Sequence, residues 1–175
     1  MSTFNYSLFL IFCLQALLLM ISIPAIHSRT FHPNDENLIQ STCKKTPNYN
    51  VCIQYLKSNP KSSNADVTGL ALIMVNVIKG RATDALNKIH ALQKGGSKPG
   101  LDSCASSYNA ILVGDVQQAT QALKFGDPKF AVDGANDAAI EADSCQHDFP
   151  GPLTAQNEAM HDVAVVTAAI ARLLL

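Results

Sequence analysis

The chain predicts an all-α protein: an up-down-up-down four-helix bundle, preceded by a segment of short helices and held by two disulfides. Three observations lead there. Apolar residues recur every three or four positions through three long segments, and a fourth segment between them is smaller and more polar. Aromatic residues make up only 6% of the chain, with no tryptophan, and an even number of cysteines follows an apolar leader. A composition rich in alanine and poor in aromatic residues favours closely packed helices over sheets.

The leader comes first. Leu8 to Ile23 is an apolar run of 16 residues, short for a membrane span and of the length of a signal-peptide core. Small residues close it at Ala25-Ile26-His27-Ser28, so residues 1–28 are expected to be a signal peptide cleaved after Ser28. What remains, 29–175, suits one domain. It is expected to enter the secretory pathway with no membrane attachment after cleavage. All 13 basic and 14 acidic residues fall in that part. Its near-neutral balance, with no basic block, excludes nucleic acid as a natural partner.

Residues 29–60 contain Pro33, Pro47 and Pro60 and have room only for short helices beside the bundle, which occupies 66–175. The first bundle helix follows the possible caps Ser62 to Asp66. Val67, Ala71, Met74, Ile78, Ala82, Ala85, Ile89 and Leu92 give it one apolar stripe, which Leu70 and Val77 widen, and Gly95-Gly96 ends it. The second is expected from about Asp102, with Tyr108, Leu112, Val116, Ala119 and Leu123 inward and a kink at Gly114-Asp115. The third runs from Asp127 to about Cys145. The fourth starts at Thr154, with Ala155, Ala159, Val163, Val166, Ile170 and Leu173 on one side. Short links between them make antiparallel neighbours.

Cys13 leaves with the leader, and Cys43, Cys52, Cys104 and Cys145 remain. Four cysteines in an exported chain read as two disulfides with three possible pairings. The hairpin favours one of them. Cys104 lies 22 residues before Gly126 and Cys145 lies 19 after it, about 33 and 28 Å along antiparallel helices. Both therefore reach the same end of the bundle, and Cys43 and Cys52 are left to close a local loop.

No catalytic constellation is present in the motifs. There is no Gly-x-Ser-x-Gly, no phosphate loop and no His-Glu-x-x-His. Glu158 and His161 have the i, i+3 spacing of di-iron bundles, but such sites need two pairs, and a surface or capping role is expected instead. His90, His32 and His147 read as solvated or packed. No enzyme activity, cofactor or metal is expected. Asp133, Asp137 and Glu141, four residues apart on the third helix, form a carboxylate stripe that costs the helix a few tenths of a kcal/mol per pair. It reads either as a solvated face or as a docking edge.

The stretch KFGDPKF, from Lys124 to Phe130, is the one local arrangement that helix formation leaves unexplained. Gly126 can close the second helix, Asp127 can cap the third, and Pro128 suits the first helical position, where its missing N–H loses nothing. The corner is thus rigid. Lys129 rides on the positive end of the helix dipole, where a cation is disfavoured. Phe130 either folds back or protrudes, and the local spacing leaves both open.

The chain resembles the plant invertase and pectin methylesterase inhibitor family. The residues that carry the likeness are the leader, ENLIQSTCKKTPNYNVC from Glu36, TGLALIMVNVIKGRA from Thr68, LDSCASSY from Leu101, the hairpin ending at Cys145, and LTAQNEA from Leu153. The resemblance implies a four-helix bundle with an N-terminal helical hairpin, the pairs Cys43–Cys52 and Cys104–Cys145, and no enzymatic activity. Pro128-Lys129-Phe130 looks like the signature of the invertase-inhibiting branch, where this tripeptide enters the active-site pocket. That implies a protruding corner with acid invertase as partner and Asp127 and Asp133 at the edges of the contact. The other branch implies pectin methylesterase, bound through helix faces. A carrier of a small apolar ligand is a third class, against which the tightly packing alanines argue. Gly114 stands where relatives tend to hold a better helix former, so the second helix is expected to depart from straightness. Cell wall or apoplast is the expected location, with the vacuole as the alternative.

Overall fold

The computed structural model describes residues 33–96 and 98–175. The expected signal peptide and His32 lie outside these residues. Seven α-helices are present among them: α1 (Pro33–Cys43), α2 (Tyr49–Ser58), α3 (Val67–Gln93), α4 (Pro99–Ala110), α5 (Val116–Phe125), α6 (Pro128–Asp148) and α7 (Thr154–Arg172). A short 3-10 helix at Pro60–Asn64 joins α2 to α3, and a π-helical turn at Ile111–Asp115 joins α4 to α5. Ala110, Ile111, Asp115 and Val116 all keep helical backbone angles, so α4 and α5 form one continuous rod.

Four rods make the bundle: α3, α4–α5, α6 and α7. Helix α6 packs on α7 and on the α4–α5 rod, and α3 packs on α7 and on the rod, which closes the ring. The fold is the all-α bundle that the periodicity predicts. Asp66 caps α3 by accepting the Gly69 amide at 2.7 Å. The α3 stripe holds, with Ala71, Met74, Ile78, Ala82, Ala85 and Ile89 buried. The seam of α6 is built from Ala131, Ala135, Ala138, Ala139 and Ala142, all buried. Small side chains there let neighbouring helices approach closely, as the alanine-rich composition implies.

Three details differ from expectation. The second helix starts at Pro99, which takes the first turn of α4, rather than near Asp102. The π-helical turn adds a residue to the local repeat, so Ile111 enters the core while Leu112 is only partly covered. In α7, Ala155 is exposed and Leu173 is 37% exposed, whereas Asn157, Met160, Ala164 and Thr167 are buried. Alanine is small enough to be tolerated on either face, so the alanine spacing in the first turn does not fix the rotation of the helix.

The N-terminal segment is a helical hairpin. Cys43 and Cys52 are bonded across its turn, and Lys57 meets Glu36 at 2.6 Å along its length. It is attached to the bundle by polar contacts: Asn48 donates to Asp162 at 3.3 Å, and Arg81 lies over the Tyr55 ring while bonding its hydroxyl. At one end of the bundle, Cys104 and Cys145 are joined with their Cα atoms 4.6 Å apart. This is the end to which equal helix lengths from Gly126 lead.

Candidate functional site at the α5–α6 corner

The opposite end of that hairpin is the corner. Gly126 adopts φ 77°, a left-handed conformation that glycine reaches without strain, and its amide bonds back to the Ala122 carbonyl. The Asp127 amide reaches the same carbonyl at 2.9 Å. Pro128 follows in the first turn of α6 with its backbone angle pre-set. The Gln118 side chain on α5 donates to the Phe130 carbonyl at 3.2 Å, tying the first turn of α6 to its neighbour. Three local constraints thus fix the backbone of a five-residue tip.

Burial on either side decides which side chains point out. Ala122 and Leu123 are buried at the end of α5, and Ala131 and Val132 at the start of α6. Between them, Lys124, Gly126, Asp127 and Lys129 are exposed and Pro128 is partly covered. Phe130 is 50% exposed, neither folded into the core nor fully free. Asp133 is partly covered one turn further along α6. One side-chain role differs from expectation: Asp127 takes the N-cap position but makes no capping bond. Its φ −115° and ψ 69° fall outside the extended geometry that aims a cap side chain at the following amides, so its carboxylate faces outward.

Beneath the tip, Thr68, Leu123, Gly126, Pro128 and Leu174 line a small open cleft of about 200 Å³. Another exposed ring stands beside it. Phe125, the last residue of α5, is 84% exposed. Helical periodicity gives no sign of this ring; the doubled Lys-Phe at 124–125 and 129–130 is the sequence signal that marks it.

The carboxylate stripe has a structural counterpart on the rod. Asp115, in the π-helical turn, is pushed up to about 6 by burial and then by the charges of Asp137 and Glu141 on α6. Its Oδ2 is buried without a hydrogen-bond partner. A larger polar cleft of about 400 Å³ lies between α6 and α7, lined by Asp143, Gln146, Asn157, Glu158, His161 and Asp162. There His161 Nδ1 meets Asp143 Oδ1 at 2.9 Å. Among the described residues no group of three or more potential ligands is arranged to hold a metal ion.

Comparison with known proteins fits this architecture. The family model described as plant invertase/pectin methylesterase inhibitor matches residues 37–170. A cell wall / vacuolar inhibitor of fructosidase 1 from Arabidopsis thaliana is 44% identical over 141 residues, covering 78% of this chain and 69% of the relative. A pectinesterase inhibitor from Actinidia deliciosa is 29% identical over 140 residues, covering 78% of this chain and 75% of the relative. The crystal structure of a mutant form of an Arabidopsis pectin methylesterase inhibitor superposes with TM-score 0.68 at 22% identity, over 78% of this chain and 97% of that one, a likeness of fold. With its helical hairpin, four-rod bundle and two disulfides, the chain belongs to the plant invertase/pectin methylesterase inhibitor family.

Proposed function

We propose that the protein inhibits an acid invertase, a β-fructofuranosidase, by occupying its sucrose-binding cleft with the Pro128-Lys129-Phe130 corner. The observation that carries this is the half-exposed Phe130 beside an exposed Lys129 on a backbone held by Gly126, Pro128 and the Gln118 bond. Glycosidases cleave with paired carboxylic side chains around the scissile bond, so the target cleft is acidic and shaped for a sugar. A lysine ammonium complements those carboxylates, and a phenyl ring takes the apolar part of the site. The corner is already rigid, so little conformational freedom is lost on insertion. Sucrose is then excluded by occupancy, and no chemistry is required of the inhibitor. Asp127 and Asp133, on either side of the tripeptide, frame the edge of the contact.

The fructosidase inhibitor relative at 44% identity supports this target. Its description as a cell wall / vacuolar inhibitor agrees with an exported protein that works in the apoplast or the vacuole. Among the described residues no helix is long and apolar enough to cross a membrane. The pectinesterase inhibitor relative supplies the second reading, a pectin methylesterase bound through helix faces.

The test is residual activity of purified acid invertase and of pectin methylesterase after incubation with the protein and with a variant carrying alanine at 128, 129 and 130. Inhibition of invertase is expected. The variant should lose it by tenfold or more, about 1.4 kcal/mol, with its helical spectrum unchanged. Equal invertase inhibition by parent and variant rejects the plug, and inhibition of the esterase alone selects the second reading.

A further inference from the structure

Phe125 has no part in holding the fold together. It is 84% exposed at the last position of α5, and Gly126 closes the helix behind it. Its neighbour Lys124 is accounted for, because a cation in the last turn complements the negative end of the helix dipole. A ring in water gains nothing comparable. The tip therefore presents two Lys-Phe pairs, 124–125 and 129–130, on either side of Gly-Asp-Pro, with two lysines to one aspartate between Lys124 and Phe130. The two rings belong to antiparallel helices, whose axes run about 8–10 Å apart in such packing.

We propose that Phe125 is a second anchor of the inhibitory tip, seated on an apolar stacking surface at the mouth of the sugar cleft while Phe130 occupies its interior. The proposal rests on the invertase reading above and adds to it a specificity-determining residue outside the tripeptide. Its partner surface is the carbohydrate-binding rim of a glycosidase: apolar platforms that receive sugar faces are flat enough for a phenyl ring, and the nearby acidic groups match the positive tip. Aromatic side chains, phenylalanine among them, are enriched at protein interfaces, where they bring large contact area with few rotatable bonds.

The experiment compares inhibition constants against purified acid invertase for the parent, Phe125→Ala, Phe125→Tyr, the triple alanine variant at 128–130, and Val113→Ala as a control. Val113 is 58% exposed in the π-helical turn, away from the corner. Phe125→Ala is expected to raise the inhibition constant five- to twentyfold without changing the circular dichroism melt. Phe125→Tyr should restore it, and Val113→Ala should leave it unchanged. Loss in the triple variant but none in Phe125→Ala overturns this inference and leaves the plug intact. No loss in the triple variant overturns both. An equal loss in Val113→Ala, or self-association of the free protein that Phe125→Ala abolishes in sedimentation, assigns the ring elsewhere and also overturns it.

Discussion

Gly134 on α6 lies against the backbone of Asp115: a Cβ at position 134 would stand 2.8 Å from the Asp115 carbonyl oxygen and 3.3 Å from the Ala119 amide nitrogen. The obstacle is main chain, so no rotamer change relieves it. This contact sets how closely the two arms of the hairpin approach, and hence the direction in which the corner points. Gly134→Ala gains about 0.5–1 kcal/mol of helix propensity but must push two helices apart, at about 1–3 kcal/mol. A net loss of about 1–2 kcal/mol is expected, visible as a fall of several degrees in the thermal melt. A melting temperature equal to the parent's would mean that the arms are not in contact there.

The same contact region carries a pH dependence with a definite sign. Burial, with Asp137 and Glu141 nearby, raises the Asp115 carboxyl from its ordinary 3.8 to about 6. Between those values the folded protein holds a proton that the unfolded chain has released. Stability should therefore fall as pH rises from about 4 to about 6, and level off above. Asp115 is partly exposed, so solvent screening reduces the effect to the order of 1 kcal/mol. Asp115→Asn removes the charge and should flatten that part of the profile, leaving the variant more stable than the parent at pH 7. Urea titrations at several pH values check this, and an unaltered slope in the variant assigns the dependence to other groups.

A third expectation concerns a hydrogen-bond chain that links three rods. The fully buried Tyr108 on α4 donates to Asn157 Oδ1 on α7 at 2.8 Å, and Asn157 Nδ2 donates to Gln146 Oε1 on α6 at 2.9 Å. Burial raises the Tyr108 pKa, so the phenol stays protonated and keeps donating. Asn157→Ala strands that hydroxyl in the core and should cost about 1–3 kcal/mol. Tyr108→Phe in the Asn157→Ala background removes the stranded group and should recover part of the loss. A double-mutant cycle in denaturant measures the coupling, and additive effects would show that the hydroxyl finds another partner.

Much of this architecture is written in local chemistry. Periodicity locates α3 because its stripe mixes leucine, isoleucine and methionine with small residues, and only one rotation buries the large ones. Gly-Asp-Pro marks the corner because each residue is restricted in its own way: Gly126 to a left-handed angle, Pro128 to a first turn. Rotations fail where alanine is everywhere, as at Ala155 and Ala159, because a methyl group is indifferent to its face. The inward register of the second helix fails at Leu112 because the π-helical turn is a tertiary adjustment. The glycine at 114 hinted at it without specifying it. Whether Phe130 protrudes was undecidable locally, since it depends on the burial of Ala131 and Val132 against other helices. Phe125 is not legible locally, because a terminal helical phenylalanine ordinarily turns inward.

The depth at which Lys129 acts separates insertion from surface attraction. An ammonium inside a sugar cleft has exchanged water for carboxylates and is shielded from mobile ions, whereas a rim charge is screened over about 10 Å at 0.1 M salt and about 3 Å at 1 M. Lys129→Met keeps a long apolar side chain and removes only the charge. It is expected to weaken invertase inhibition by about tenfold, the equivalent of about 1.4 kcal/mol, at both ionic strengths. Lys124→Met, at the exposed end of α5, should lose little at low salt and nothing at high salt, since peripheral charges act mainly on the rate of encounter. Inhibition constants at the two salt concentrations decide between them. If the Lys129→Met deficit disappears in high salt, Lys129 works at the rim, and the tip does not fill the cleft.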